Sequence, residues 1–232
     1  MPYGKEMDRM DKRISASLMC MDLLDLRGAV RQLEKHGIDL LHCDAMDGHF
    51  VPNWMMFPDL INAIAKETKL PLDIHLMVEN PEAMLAKLRL RKGDIVSLSY
   101  ESTPHIQRCL SLVREMGGEP SLAINPGTPV QVIEDLLPDL SMLLVMTVNP
   151  GFAGQKLVPQ TLAKVTRARK MLDELGYAKV RIEVDGNCSF ENVPKMVAAG
   201  ADTIVAGTSS LFNDKLEFAE AVRRLRGAMQ TP

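Results

Sequence analysis

His42 and Asp44 stand two residues apart in Leu40-Leu41-His42-Cys43-Asp44-Ala45-Met46-Asp47-Gly48, and a β-strand puts alternate side chains on one face. His75, within Asp73-Ile74-His75-Leu76-Met77-Val78, and Asp185, within Glu183-Val184-Asp185-Gly186, end similar short runs. Four nitrogen and oxygen ligands at the ends of three strands could hold one divalent cation. Two imidazoles and two carboxylates suit Zn, Fe(II), Mn or Co better than Ca, which prefers an all-oxygen shell. The two carboxylates could also move protons. Cys43 lies between two of these residues, so pleating turns it away from them. His36, His49 and His105 fall in helical or loop segments and read as surface or supporting residues.

Something must bring these residues to one place. Short apolar runs alternate with amphipathic segments, and strands are expected over Ile14–Met19, Leu40–Asp44, Leu72–Met77, Ile95–Leu98, Ser121–Ile124, Met142–Thr147, Arg181–Val184 and Thr203–Ala206. Asp22 is placed to cap a first helix whose apolar face is Leu23, Leu26, Val30 and Leu33. Pro58, Pro81, Pro129 and Pro159 mark helix starts, and Gly37, Gly93, Gly117, Gly176 and Gly200 mark helix ends. Eight strand–helix units without a linker favour a single (β/α)8 TIM barrel over a doubly wound open sheet, which usually supplies fewer. In that barrel Ser17, Asp44, His75, Asn125, Thr147, Asp185 and Gly207 reach the C-terminal face, where active sites are built. Ile182 and Val184 suit the helix side of their strand, which turns Glu183 and Asp185 inward. Buried carboxylates are costly unless paired, hydrogen-bonded or bound to metal, so their presence marks a site.

Three loops on the same face suit a phosphate. Gly151-Phe152-Ala153-Gly154 follows the sixth strand, Gly186-Asn187 the seventh and Gly207-Thr208-Ser209 the eighth. Backbone amides in glycine turns ahead of helix N-termini can surround an anion. Met46, Met77 and Met146 lie near strand ends among sixteen methionines; they are either core fillers or an apolar wall around the site. Trp54-Met55-Met56-Phe57 could be a lid, a subunit contact or packing beneath the second helix.

Bulk properties narrow the partners. The 232 residues are 46% hydrophobic, enough for one large α/β domain. Residues 1–13 read as a polar N-terminal extension and 14–232 as the barrel. A net charge of -3 gives no electrostatic reason to expect nucleic acid or an anionic membrane. No apolar run approaches the roughly 20 residues a spanning helix needs. Four cysteines without Cys-x-x-Cys spacing suit reduced thiols in a cytoplasmic protein.

Ser17-Leu18-Met19, His42-x-Asp44-x-Met46-Asp47-Gly48 through Asn53, His75-Leu76-Met77-Val78, Asn125-Pro126, Val145-Met146-Thr147-Val148, Pro150-Gly151-Phe152, Val184-Asp185-Gly186 and Ala206-Gly207-Thr208 together resemble the ribulose-phosphate 3-epimerase family. Within it, Ser17-Leu18-Met19-Cys20-Met21-Asp22, Gly151 to Gln155, Cys188 and Gly207 to Phe212 are most similar to the D-allulose-6-phosphate 3-epimerase branch. The resemblance implies a (β/α)8 barrel with one divalent metal per chain, held by His42, Asp44, His75 and Asp185. Asp44 and Asp185 would be the acid/base pair. Ser17, His75, Gly151 to Gly154, Gly186, Asn187 and Gly207 to Ser209 would contact substrate and phosphate. The expected reaction is inversion of C3 in a ketose phosphate, D-allulose 6-phosphate to D-fructose 6-phosphate, in a homo-oligomer. The alternatives are D-ribulose 5-phosphate as substrate and a non-catalytic sugar-phosphate-binding relative. A decarboxylase or synthase on the same barrel is disfavoured by the absence of an Asp-x-Lys-x-x-Asp segment. Three positions depart from the family: Ser99-Tyr100-Glu101 lacks a usual histidine, Asn149 replaces an acidic residue, and Asn187 replaces a usual second glycine.

Overall fold

The computed structural model describes residues 10–230, so residues 1–9 of the expected extension lie outside the described residues. Eight parallel strands form a closed ring: β1 (Arg13–Ser17), β2 (Leu40–Asp47), β3 (Leu72–Met77), β4 (Ile95–Ser99), β5 (Glu119–Ile124), β6 (Met142–Met146), β7 (Arg181–Asp185) and β8 (Thr203–Ala206). β1 pairs with both β2 and β8, which closes the sheet and excludes the open doubly wound alternative. This is the single (β/α)8 barrel that the alternation of segments predicts.

Among the described residues seven α-helices wrap the ring: α1 (Leu26–Lys35), α2 (Pro58–Glu67), α3 (Pro81–Leu85), α4 (Ile106–Glu115), α5 (Gln160–Glu174), α6 (Val193–Ala199) and α7 (Phe218–Met229). The crossover from β5 to β6 is instead a run of 3-10 turns, Val130–Asp139, with Pro138 inside it. Proline has no N–H to give an α-helical ladder, and the tighter coil accommodates that loss. Among the described residues no helix is long and apolar enough to cross a membrane.

Two local expectations are corrected. β1 ends at Ser17, and Leu18–Cys20 turn into a 3-10 coil rather than continuing the strand. Asp22 accepts from the Leu24 N–H and caps a short turn, whereas Asp25 accepts from Gly28 N–H and caps α1. Leu23 therefore lies ahead of the helix and is 50% exposed instead of packing beneath it.

The main core sits between sheet and helices. Ile14, Leu41, Cys43, Ile74, Leu76, Val96, Leu143, Val145, Ile182, Val184 and Ile204, the outward set of strand positions, pack there with Val30, Leu33, Leu110 and Leu225. The alternate set faces the barrel axis and is mixed: Ser15, His42, Asp73, His75, Ser97, Ser121, Glu183 and Thr203 are fully buried there beside small apolar clusters of Leu40, Ile95 and Met142 and of Ala123, Leu144 and Met146. Ser97 donates to Ser121 at 2.8 Å across adjacent strands. An interior of this kind positions chemistry at the expense of apolar packing.

Asp47, at the end of β2, fixes the rim. Its Oδ1 accepts from the N–H groups of His49 and Phe50 at 2.9 Å each, and its Oδ2 from that of Glu79 at 2.7 Å. Partial burial opposes ionisation, but the three donors outweigh it and hold the carboxyl below the usual carboxylate range. Asp47→Ala is expected to lower unfolding free energy by about 2 kcal/mol in urea titrations near neutral pH. Because the folded pKa is depressed, this stabilisation is complete above the unfolded value near ~4 and fades as pH falls through the folded one. Wild type and variant should therefore converge in acid; a gap that does not narrow would exclude the charge as its source.

Candidate active site and metal centre

The ring brings the four candidate ligands together. Strand register sets Asp44 of β2 beside His75 of β3, Ser17 of β1 beside His42, and Met146 of β6 beside Asp185. His42 Nε2 lies 3.3 Å and His75 Nδ1 3.8 Å from Asp44 Oδ1. Ligand atoms of His42, Asp44, His75 and Asp185 all fall within 4.8 Å of one another. Ser17 donates to Asp44 Oδ2 at 2.9 Å, leaving Oδ1 towards the imidazoles. His42 Nε2 and both ring nitrogens of His75 are buried without a hydrogen-bond partner. Polar atoms left so are costly, and a divalent cation would satisfy His42 Nε2 and one ring nitrogen of His75 together. The donor set therefore fits one cation of the Zn, Fe(II), Mn or Co class.

Beneath this cluster lies a residue that the sequence reading does not single out. Asp73 is fully buried, and its Oδ2 accepts from Ser15 Oγ and His42 Nδ1, both at 2.6 Å. That bond places the His42 proton on Nδ1 and turns Nε2 to the cluster, as carboxylate–histidine–metal arrangements do. The available signal was its place two residues before His75 on the same strand face. Glu183 points inward as expected; burial, reinforced by the Asp73 charge, pushes its carboxyl well above the usual range. Asp73→Asn is expected to weaken divalent-metal binding roughly tenfold to a hundredfold in chelator competition, with the circular dichroism spectrum preserved. Unchanged affinity would reduce Asp73 to a packing residue.

The two carboxylates of the cluster differ in proton affinity. Burial opposes ionisation of Asp44, but His42 and His75 outweigh it and hold Asp44 far below the usual range. Burial pushes Asp185 up to about 6; the Asp44 charge adds to this while His42 opposes it. Burial likewise disfavours a charged His42 ring, yet the charges of Asp44 and Asp73 raise its pKa well above the ordinary value. Paired titratable groups whose environments separate them can divide acid and base roles.

A cleft opens above Asp44 and Asp185, walled by Ser17, Met46, Met77, Met146, Gly151, Phe152, Ala153, Gly154, Gly186, Asn187, Gly207, Thr208 and Ser209. Every expected contact residue except His75 lines it; His75 is buried below with His42. The methionines serve both readings at once, since Met46 and Met77 pack on Val51, and Met146 on Ala123 and Leu144, while all three line the cleft. Gly186 has φ 122°, and a Cβ there would come within 2.6 Å of Val148, so only glycine fits. Thr147 secures that turn by donating to the Asp185 and Gly186 carbonyls at 2.8 and 2.6 Å. Asn125 is not a wall of the cleft; its carbonyl accepts from the buried Lys164 at 2.6 Å. Trp54, 72% exposed, pairs antiparallel to Asp47 and meets His49 edge-on, so it does not pack beneath α2.

Residues 13–212 match the sequence profile of the ribulose-phosphate 3 epimerase family. The chain belongs to the ribulose-phosphate 3-epimerase family. It is 39% identical over 216 residues to ribulose-phosphate 3-epimerase of Bacillus subtilis, covering 93% of this chain and 99% of that one. It is 37% identical over 230 residues to the chloroplastic ribulose-5-phosphate-3-epimerase of Arabidopsis thaliana, covering 97% and 81%. Membership of the family makes the protein an isomerase, an epimerase acting on a carbohydrate phosphate. Among solved structures, KGPDC from Streptococcus mutans superposes with a TM-score of 0.70 at 12% identity, covering 95% of this chain and 98% of that one. The 3-hexulose-6-phosphate synthase of Salmonella typhimurium gives 0.65 at 16%, covering 94% and 98%. At those identities the likeness is one of fold.

Proposed function

We propose that this enzyme inverts C3 of a ketose phosphate and that D-ribulose 5-phosphate is its substrate. The observation that carries the chemistry is the buried cluster of His42, Asp44, His75 and Asp185, with two carboxylates from strands three steps apart in the ring projecting into one cleft. The named relatives favour the five-carbon sugar over the D-allulose 6-phosphate expected from local segments. D-Allulose 6-phosphate is the second reading, favoured by the departure at Asn187, which lines the cleft.

Inversion needs proton removal from one face of C3 and proton return to the other. In this reading one of Asp44 and Asp185 takes the C3 proton as a carboxylate while the other, protonated, delivers to the opposite face. The roles exchange in the reverse direction. His42, Asp44, His75 and Asp185 would hold a divalent cation, which would supply Lewis-acid stabilisation of the charge that develops on the substrate oxygen. Ser17 holds one oxygen of Asp44 by its 2.9 Å bond, and Asp73 orients His42. Met46, Met77 and Met146 exclude water from the carboxylates and lower the local dielectric. The loops at Gly151–Gly154, Gly186–Asn187 and Gly207–Ser209 take the phosphate, whose binding energy places C3 between the carboxylates.

Metal-loaded protein given D-ribulose 5-phosphate and D-allulose 6-phosphate separately decides the substrate. The expected result is a higher kcat/KM for the pentose phosphate. A higher value for the hexose phosphate installs the second reading, and turnover of neither removes the epimerase assignment.

A further inference from the structure

We infer that the Asn187 side chain is a positioning brace that sets how far from the carboxylate pair a phosphate lands, and so discriminates between ketose phosphates of different length. This rests on the epimerase reading above. Asn187 has φ 49°, the left-handed region, which asparagine tolerates better than most residues with a Cβ. Its carboxamide is committed at both ends. Nδ2 donates to the Gln155 carbonyl at 2.6 Å, and Oδ1 accepts from Asn192 Nδ2 at 2.8 Å. Gln155 in turn closes its own loop, its Nε2 donating to the carbonyls of Asn149 at 2.6 Å and Phe152 at 2.9 Å. Two carboxamides thus run in series from the start of α6, across the loop after β7, to the Gln155 backbone in the loop after β6, which the Gln155 carboxamide closes.

Asn187 and Gln155 line the same cleft as Asp44 and Asp185, whereas Asn192 stands outside it. The carboxylates ride on strands of the closed ring and are fixed. The loops opposite them bend through Gly151, Gly154 and Gly186 at φ 115°, 79° and 122°, and glycine backbone alone resists displacement weakly. The bond from Asn187 to Gln155 joins those two loops directly and holds the gap between them. A six-carbon ketose phosphate carries its phosphate one carbon–carbon bond, about 1.5 Å, further from C3 than a five-carbon one. Misplacing a reacting centre by that order costs on the order of a hundredfold, so a fixed gap selects chain length.

The test uses metal-loaded wild type, Asn187→Gly and Asn192→Ala, each assayed with D-ribulose 5-phosphate and with D-allulose 6-phosphate. Glycine is relaxed at φ 49°, so Asn187→Gly removes the brace without opposing the backbone. Asn192→Ala removes the donor that orients the brace from outside the cleft. The expected result is a shift of about tenfold or more in the ratio of the two kcat/KM values in Asn187→Gly, and a shift in the same direction in Asn192→Ala. Metal content and melting temperature of both variants should stay at wild-type values. A smaller shift in Asn187→Gly overturns the inference and leaves the epimerase reading standing. A shift that Asn192→Ala does not share also overturns it, assigning discrimination to the space vacated at residue 187. Wild type that turns over neither sugar phosphate removes the epimerase reading and this inference with it.

Discussion

Asparagine in place of Asp44 or of Asp185 should lower kcat by about a thousandfold or more, a rise of roughly 4 kcal/mol or above in the barrier. The two carboxylates share one cleft and differ in proton affinity, and in the proposed mechanism each serves one face of C3. Each variant should retain the fold, because asparagine keeps the shape of the side chain. Asp44→Asn preserves an oxygen or nitrogen for the Ser17 hydroxyl, and Asp185 lies at the end of its strand. Wild type turning over in deuterated water should place deuterium at C3 of the product. Product that retains the original hydrogen would mean transfer within the substrate, which two opposed carboxylates do not perform. An Asp185→Asn enzyme with near-normal kcat would leave the site with one acid/base group and end the two-face mechanism.

His75→Ala should strip the protein of most of its divalent metal and of its activity together. Both His75 ring nitrogens are buried without a partner, so the ring has no hydrogen-bonding task among the described residues that would explain its burial. Elemental analysis of protein purified without added metal should give about one transition-metal ion per wild-type chain and a small fraction of that in the variant. Far-ultraviolet circular dichroism should show the barrel retained. Exhaustive chelation of wild type should abolish turnover, and readdition should restore it. Full activity in protein shown to be metal-free would reject the metal centre outright.

The quartet is legible in the sequence because strand geometry is so regular. Residues i and i+2 share a face, so His42 and Asp44 announce themselves as a pair, and the barrel then supplies His75 from the adjacent strand and Asp185 from across the ring. Asp73 obeys the same rule, but it sits deeper in its strand, away from the face where sites are sought. Only its contacts with His42 and Ser15 disclose its task. The first crossover is misread because two aspartates, Asp22 and Asp25, can each cap a turn, and pattern alone does not say which opens the longer helix. Pro138 is visible in the sequence, yet an amphipathic run with one proline reads as a helix until the 3-10 coil is seen. The sugar is harder still. If the Asn187 side chain sets the gap between its loop and that of Gln155, the choice turns on about 1.5 Å, a distance that residue identity encodes only indirectly.

Closure of the ring also governs how copies of this chain can meet. An open sheet ends in a row of unpaired N–H and C=O groups, a ready template for adding a strand from another molecule. Here β1 saturates β2 on one side and β8 on the other, so the eight barrel strands offer no such row. The exception among the described residues is the two-residue strand Trp54–Met55, paired on one side to Met46 and Asp47 and too short to seed a ladder. Among the described residues, self-association of the native fold is therefore left to side chains of helices and loops meeting like tiles. Strand exchange, with its route to fibrils, is open only to chains that have first lost the ring.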